Sequence, residues 1–185
     1  MIRIALLFGS SSDIQQCLDG LTVLNEAVGA GKVELVDIRA SSIHRTTRQT
    51  LAHIGRLSRA SPKIDVLITA AGWANHLTGI SDAYLRSLGD THILVVGVAL
   101  EDATNPRHSM AARLSITEVP GTQVVYKDAH GDLVGADGFR RACEFAINGE
   151  FPEISIPKPR SPEMFTLAEA IALAGAAQAT PERTG

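Results

Sequence analysis

Three short polar clusters in this 185-residue chain carry the residue types that phosphate binding and proton transfer require. The first, Gly9-Ser10-Ser11-Ser12-Asp13, joins a glycine that lets the backbone turn tightly to serine hydroxyls that donate hydrogen bonds. Set between a strand and a helix, such a turn adds unpaired N–H groups and the positive end of a helix dipole, which together cradle an anion. It is neither the P-loop nor the GxGxxG fingerprint. Asp13 would repel a phosphate directly, so accepting from ribose hydroxyls suits it better. Taken alone, Ser12 or Asp13 serves equally well as a plain helix cap. The second cluster, Ser41-Ser42-Ile43-His44-Arg45-Thr46-Thr47, places an imidazole beside a guanidinium. Arg45 can fork onto phosphate or carboxylate oxygens. His44 has the intrinsic pKa of a general acid or base, although a polar helix-start loop would look the same. The third cluster is Ala70-Ala71-Gly72-Trp73-Ala74-Asn75-His76-Leu77-Thr78-Gly79. Its small residues admit a ligand close to the backbone, and Asn75 and Thr78 offer neutral hydrogen bonds. Asn75 reads equally as the N-cap of a following helix.

These clusters need elements to hold them. Ile2–Phe8 is a short, continuous apolar run ended by Gly9, the pattern of a buried strand. Helical spacing of Ile14, Cys17, Leu18, Leu21, Leu24 and Val28 predicts a helix over 13–28. Further strands are expected at 33–38, 64–69 and 92–98, with helices at 46–57 and 76–88 between them. This strand–helix alternation predicts a mainly parallel sheet covered on both faces. Ligands in such sheets collect at the carboxyl ends of the strands, and each polar cluster follows a predicted strand. Residues 100–109 read as a loop, 110–118 as a short helix, 122–126 as a fifth strand, 127–135 as a turn region and 139–147 as a helix. Four prolines within 151–162 argue for an extended arm. An Ala-rich helix is expected over 163–178, and an unstructured tail at 179–185. Residues 1–150 therefore form one α/β domain. The apolar face of the last helix (Met164, Leu167, Ala168, Ile171, Ala172) would bury against a neighbouring subunit or fold back on its own domain.

Composition narrows the function. The net charge of −3 and the absence of a basic run give no support to nucleic-acid binding, which needs clustered Lys and Arg. No stretch approaches the ~20 apolar residues that span a bilayer. The first residues lack the features of a signal peptide, so a cytoplasmic location is expected. Cys17 and Cys143 have no metal-ligand spacing and read as small buried hydrophobes.

Taken together and in this order, the clusters resemble the phosphoribosylaminoimidazole carboxylase family, with its sister N-carboxyaminoimidazole ribonucleotide mutase. The family's Gly-Ser-x-Ser-Asp is matched by Gly9, Ser10, Ser12 and Asp13. Its Ser-Ala-His-(Arg/Lys) is matched by Ser42, His44 and Arg45, with Ile43 in place of alanine. In the third motif, Gly72, Ala74, His76, Leu77 and Gly79 match the mutase turn, where Trp73, Asn75 and Thr78 depart from it. The turn of the direct carboxylase is matched by Ala71, Gly72, Asn75, Leu77 and Gly79, with Trp73 replacing arginine and Ala74 replacing serine. Asn75 thus leans toward the carboxylase, and Arg45 toward the mutase, since the carboxylase branch usually carries lysine there. The stretch Ser115-Ile116-Thr117-Glu118-Val119-Pro120-Gly121 looks like the family's Ser-x-x-x-Met/Leu-Pro segment. The loop over 100–108 departs from the family.

The resemblance implies a three-layer, flavodoxin-like sandwich whose terminal helix crosses onto neighbouring subunits, in a homo-octamer. It implies that 5-aminoimidazole ribonucleotide is carboxylated at the ring carbon next to the amino-bearing carbon, which attacks carbon dioxide as an enamine would. His44 would move the proton that the ring must then lose. Ser10, Ser12 and Arg45 would hold the phosphate and Asp13 the ribose. Gly9, Ser42, Gly72, Ala74, His76 and Leu77 would complete the substrate site, with Asn75 bonding the oxygens of carbon dioxide. No metal or organic cofactor is implied, because the ring supplies the electrons. Two other classes share parts of the pattern. A non-catalytic or altered-substrate nucleotide-binding module is favoured by Trp73 and loop 100–108. A flavodoxin-like phosphate-binding domain would not require His44-Arg45.

Overall fold

A computed structural model describes residues 1–158 and 160–178. Four parallel strands, β1 (Ile2–Phe8), β2 (Val33–Ala40), β3 (Val66–Ala71) and β4 (Leu94–Ala99), form a sheet in the order β2-β1-β3-β4. Side chains alternate between its faces, as the strand period of two dictates. Ile4, Leu6 and Phe8 of β1 enter one apolar cluster with Val66 and Ile68 of β3, whereas Ala5 and Leu7 enter the opposite cluster with Leu67. The first cluster is closed by α1 (Leu18–Gly29) and α5 (Gly135–Asn148), and the second by α2 (Thr47–Ser58) and α3 (His76–Ser87). The fold is thus the expected flavodoxin-like sandwich. β1 lies between β2 and β3, so the chain leaves it in opposite directions and opens a crevice at its carboxyl end.

Several elements differ from the sequence pattern. The helix expected over 13–28 is divided into a 3-10 turn, Ser11–Gln16, and α1. Residues three apart share one side of a 3-10 turn, which lets Ile14 and Cys17 both face the core. The loop expected over 100–109 is shorter, because α4 (Pro106–Thr117) begins inside it. Asn105 caps that helix by accepting from the Arg107 N–H, and Pro106 occupies the first turn, where its missing N–H is not needed. The fifth strand is reduced to a parallel bridge between Val125 and Val96. The chain then turns into a hairpin, β5 (Lys127–Asp128) and β6 (Gly131–Asp132), where only a turn was expected. Leu133 and Val134 return to the end of β4, with the Ala99 N–H donating to Leu133 O at 3.0 Å.

The return of 133–134 fixes the seat of α5. A Cβ on Gly138 would stand 2.4 Å from the Leu133 carbonyl carbon and 2.9 Å from its Cα. Both are backbone atoms that cannot rotate away. Gly138→Ala is therefore expected to cost about 3 kcal/mol or more, read as a lower midpoint in urea unfolding. Beyond α5, Phe151 and Ile154 pack on the first core cluster, and the Ser155 N–H donates to Gln123 Oε1 at 2.8 Å. The last described element is α6 (Leu167–Gln178), which starts later than expected, at a Thr166 cap paired with Glu169. Leu167, Ile171 and Leu173 are each more than half exposed. The expected tail at 179–185 lies outside the described residues. No helix among the described residues is long and apolar enough to cross a membrane.

Candidate functional site

The carboxyl ends of β1, β2 and β3 bring the three polar clusters to one cleft of about 480 Å³. It is lined by Gly9, Ser10, Ser12 and Asp13 from the first cluster, by Ser42, His44 and Arg45 from the second, and by Gly72, Trp73, Ala74 and Leu77 from the third. His76 and Asn75, both expected in the site, stand outside that lining.

The first loop is pinned by Asp13. Its Oδ2 accepts from the Ser10 N–H at 2.7 Å and its Oδ1 from the Gly72 N–H at 3.3 Å, so one carboxylate ties the β1 loop to the β3 loop. Burial pushes this carboxyl above the ordinary Asp range, against the opposing pull of the two N–H donors. Gly9 permits the tight approach of these loops. A Cβ there would meet the Ala71 Cβ at 2.8 Å and Asp13 Oδ2 at 3.0 Å. The Ser10 and Ser12 hydroxyls bond to each other and both border the cleft, where an entering anion would compete for them.

The second loop is anchored by Ile43, which is buried in the core below it. With that side chain turned down, His44 and Arg45 on the same turn stay exposed above. The Arg45 N–H caps back onto Ser42 Oγ. Among the described residues of the lining, Arg45 is the permanent cation, so it is the natural counter-charge for a phosphate. His44 Nε2 lies 2.9 Å from His76 Nδ1, with the rings edge to face and 5.0 Å apart. One nitrogen of such a pair must carry the shared proton while the other accepts it. His76 is thus joined to the cleft through His44 and is not part of its wall.

Asn75 is a correction to the sequence reading. It is fully buried. Its Nδ2 donates to Val98 O at 2.9 Å, and its Oδ1 accepts from the Thr78 N–H at 3.2 Å while lying 3.0 Å from Thr78 Oγ1. Thr78 Oγ1 in turn lies 2.8 Å from Thr69 Oγ1. This buried network staples the first turn of α3 to β3 and β4, so the Asn75 amide is committed to the fold and does not meet a ligand in the cleft. The cap alternative is the one realised.

Trp73 adopts φ +58°, a left-handed backbone unusual for any bulky residue. Its indole stacks on His108 with centroids 3.8 Å apart and planes 20° from parallel. His108 and its partners Asp102 and Asn105 escaped the sequence reading, although Asn105-Pro106 is a recognisable helix start. The Thr104 hydroxyl, followed by His108, holds the Asp102 carboxyl well below its ordinary pKa. Ser115 lies within α4 and bonds Ala111 O, away from the cleft. Among the described residues no group of three or more His, Cys, Asp or Glu could hold a metal ion.

Comparison with known proteins bears on the family and the fold. Residues 3–130 match the family model described as AIR carboxylase. Among solved structures, the chain is similar to that titled "Crystal structure of Treponema denticola PurE", with a TM-score of 0.52 and 14% identity over 80% of this chain and 88% of that one. No curated protein matches the chain.

Proposed function

Because the chain belongs to the AIR carboxylase family, we propose that it binds 5-aminoimidazole ribonucleotide in the cleft and carboxylates its ring with carbon dioxide. The supporting observation is the meeting of a phosphate-type loop, an Arg-His pair and a small-residue turn around one cleft. Ser10, Ser12 and Arg45 hold the phosphate. Asp13 keeps spare lone pairs for the ribose hydroxyls while bonding Ser10 and Gly72. Ser42, Gly72, Ala74 and Leu77 frame the ring and the space for carbon dioxide. The ring carbon's electron pair forms the new carbon–carbon bond, and the proton left on that carbon passes to the His44 imidazole, which shares a hydrogen bond with His76. The exposed apolar residues of α6 support packing on a neighbouring copy in a homo-oligomer, the octamer being the size the resemblance suggests.

Arg45 favours a second reading, the mutase, in which the carboxyl arrives on the N-carboxy form of the same nucleotide. An absorbance assay with 5-aminoimidazole ribonucleotide, with and without bicarbonate, separates the two. Bicarbonate-dependent formation of the carboxylated nucleotide is expected. Reaction of the N-carboxy form alone would make the protein a mutase, and silence with both substrates in a folded preparation would overturn both readings.

A further inference from the structure

Trp73 is the sole tryptophan of the chain, and its surroundings are more elaborate than packing requires. It is 65% exposed, so burial does not account for it. It occupies a backbone conformation that glycine would adopt freely, and strain of this kind collects at functional sites. Its indole is also braced. Asn105 Oδ1 is used in capping α4, which turns Nδ2 toward His108 Nε2 at 3.0 Å. On its other side the ring donates from Nδ1 to Asp102 Oδ2 at 2.7 Å. Asp102 is itself held by the Thr104 N–H and hydroxyl, and its own N–H donates to Ser109 Oγ. The imidazole is thereby held in one orientation, flat against the indole. Trp73 lines the cleft, whereas His108, stacked on its indole, does not.

An exposed, rigid indole beside hydroxyls and a guanidinium suits a ligand with a planar ring at one end and a phosphate at the other. We propose that Trp73 is the stacking platform for the heteroaromatic ring of a 5′-mononucleotide, and that Asp102, Asn105 and His108 are positioning residues that keep it in place. The ring is then selected by its flat face as well as by its polar edge. This inference rests on the reading of the cleft as a ribonucleotide site.

The lone tryptophan is its own probe. Binding of 5-aminoimidazole ribonucleotide and of ribose 5-phosphate, which has no ring, is measured by calorimetry and by tryptophan emission. Both ligands are expected to bind the wild type, with emission changing only for the nucleotide. Trp73→Gly suits the left-handed backbone and should fold. It is expected to bind ribose 5-phosphate as the wild type does and the nucleotide about 10- to 100-fold more weakly, the range of a lost base–aromatic stack. Trp73→Phe should recover most of that affinity. His108→Ala should give an intermediate nucleotide affinity and a smaller emission change. Equal nucleotide affinity in wild type and Trp73→Gly, or the same emission change with both ligands, would overturn the platform while leaving the nucleotide site standing. Failure of both ligands to bind the wild type would remove the nucleotide site and the platform together.

Discussion

His44→Asn is expected to reduce turnover by about 10²- to 10⁴-fold, the usual contribution of a positioned acid or base, while nucleotide affinity stays close to that of the wild type. The separation of the two effects follows from the architecture of the turn. Ile43 is buried and fixes the loop from below, so changing its neighbour does not release the backbone. An asparagine amide can still hydrogen-bond His76, which preserves the local geometry around the first residue of α3. It cannot take up a proton near neutral pH, and the carboxylated ring would be left without a group to restore its aromaticity. Single-turnover rates and calorimetric affinities measured on the same preparation check this. A variant that turns over at the wild-type rate would remove His44 from the mechanism and leave His76 as the next imidazole to test.

Asn75→Ala has the opposite expected signature, lowering stability by about 3 kcal/mol with little change in the rate per folded molecule. The truncation removes the cap of α3 and leaves Val98 O and the Thr78 N–H buried without the partner each now has. It also takes one member from the Thr69–Thr78–Asn75 network beneath the third loop. Urea unfolding gives the stability, and activity at low denaturant gives the rate. A variant as stable as the wild type but inactive would return Asn75 to the reaction, against the burial of its amide.

Much of the fold was legible because its signals are local. β1, β3 and β4 are continuous apolar runs, as strands covered on both faces must be, and the helices between them carry apolar residues at helical spacing. Their boundaries shifted by a few residues where capping or a 3-10 turn decided the end. The region after β4 was less legible. Its segments pair by turns with the edge of β4, Val125 through two backbone bonds and Leu133 through one, contacts too short to leave an alternating pattern in the sequence.

For the site, the sequence by itself determined which residue types stand after which strand, and hence that Gly9–Asp13, Ser42–Arg45 and the turn after β3 would share one end of a parallel sheet. The chain's order and its short connections leave little choice in that. Tertiary structure alone decided where each polar group points. Asn75 turned inward to a carbonyl 23 positions away, Asp13 bridged to a loop 59 positions on, and His44 found a second imidazole at a separation of 32. The stacking of Trp73 on His108 belongs to the same class. An asparagine, an aspartate or an indole offers several partners, and only the packed sheet brings one of them within reach.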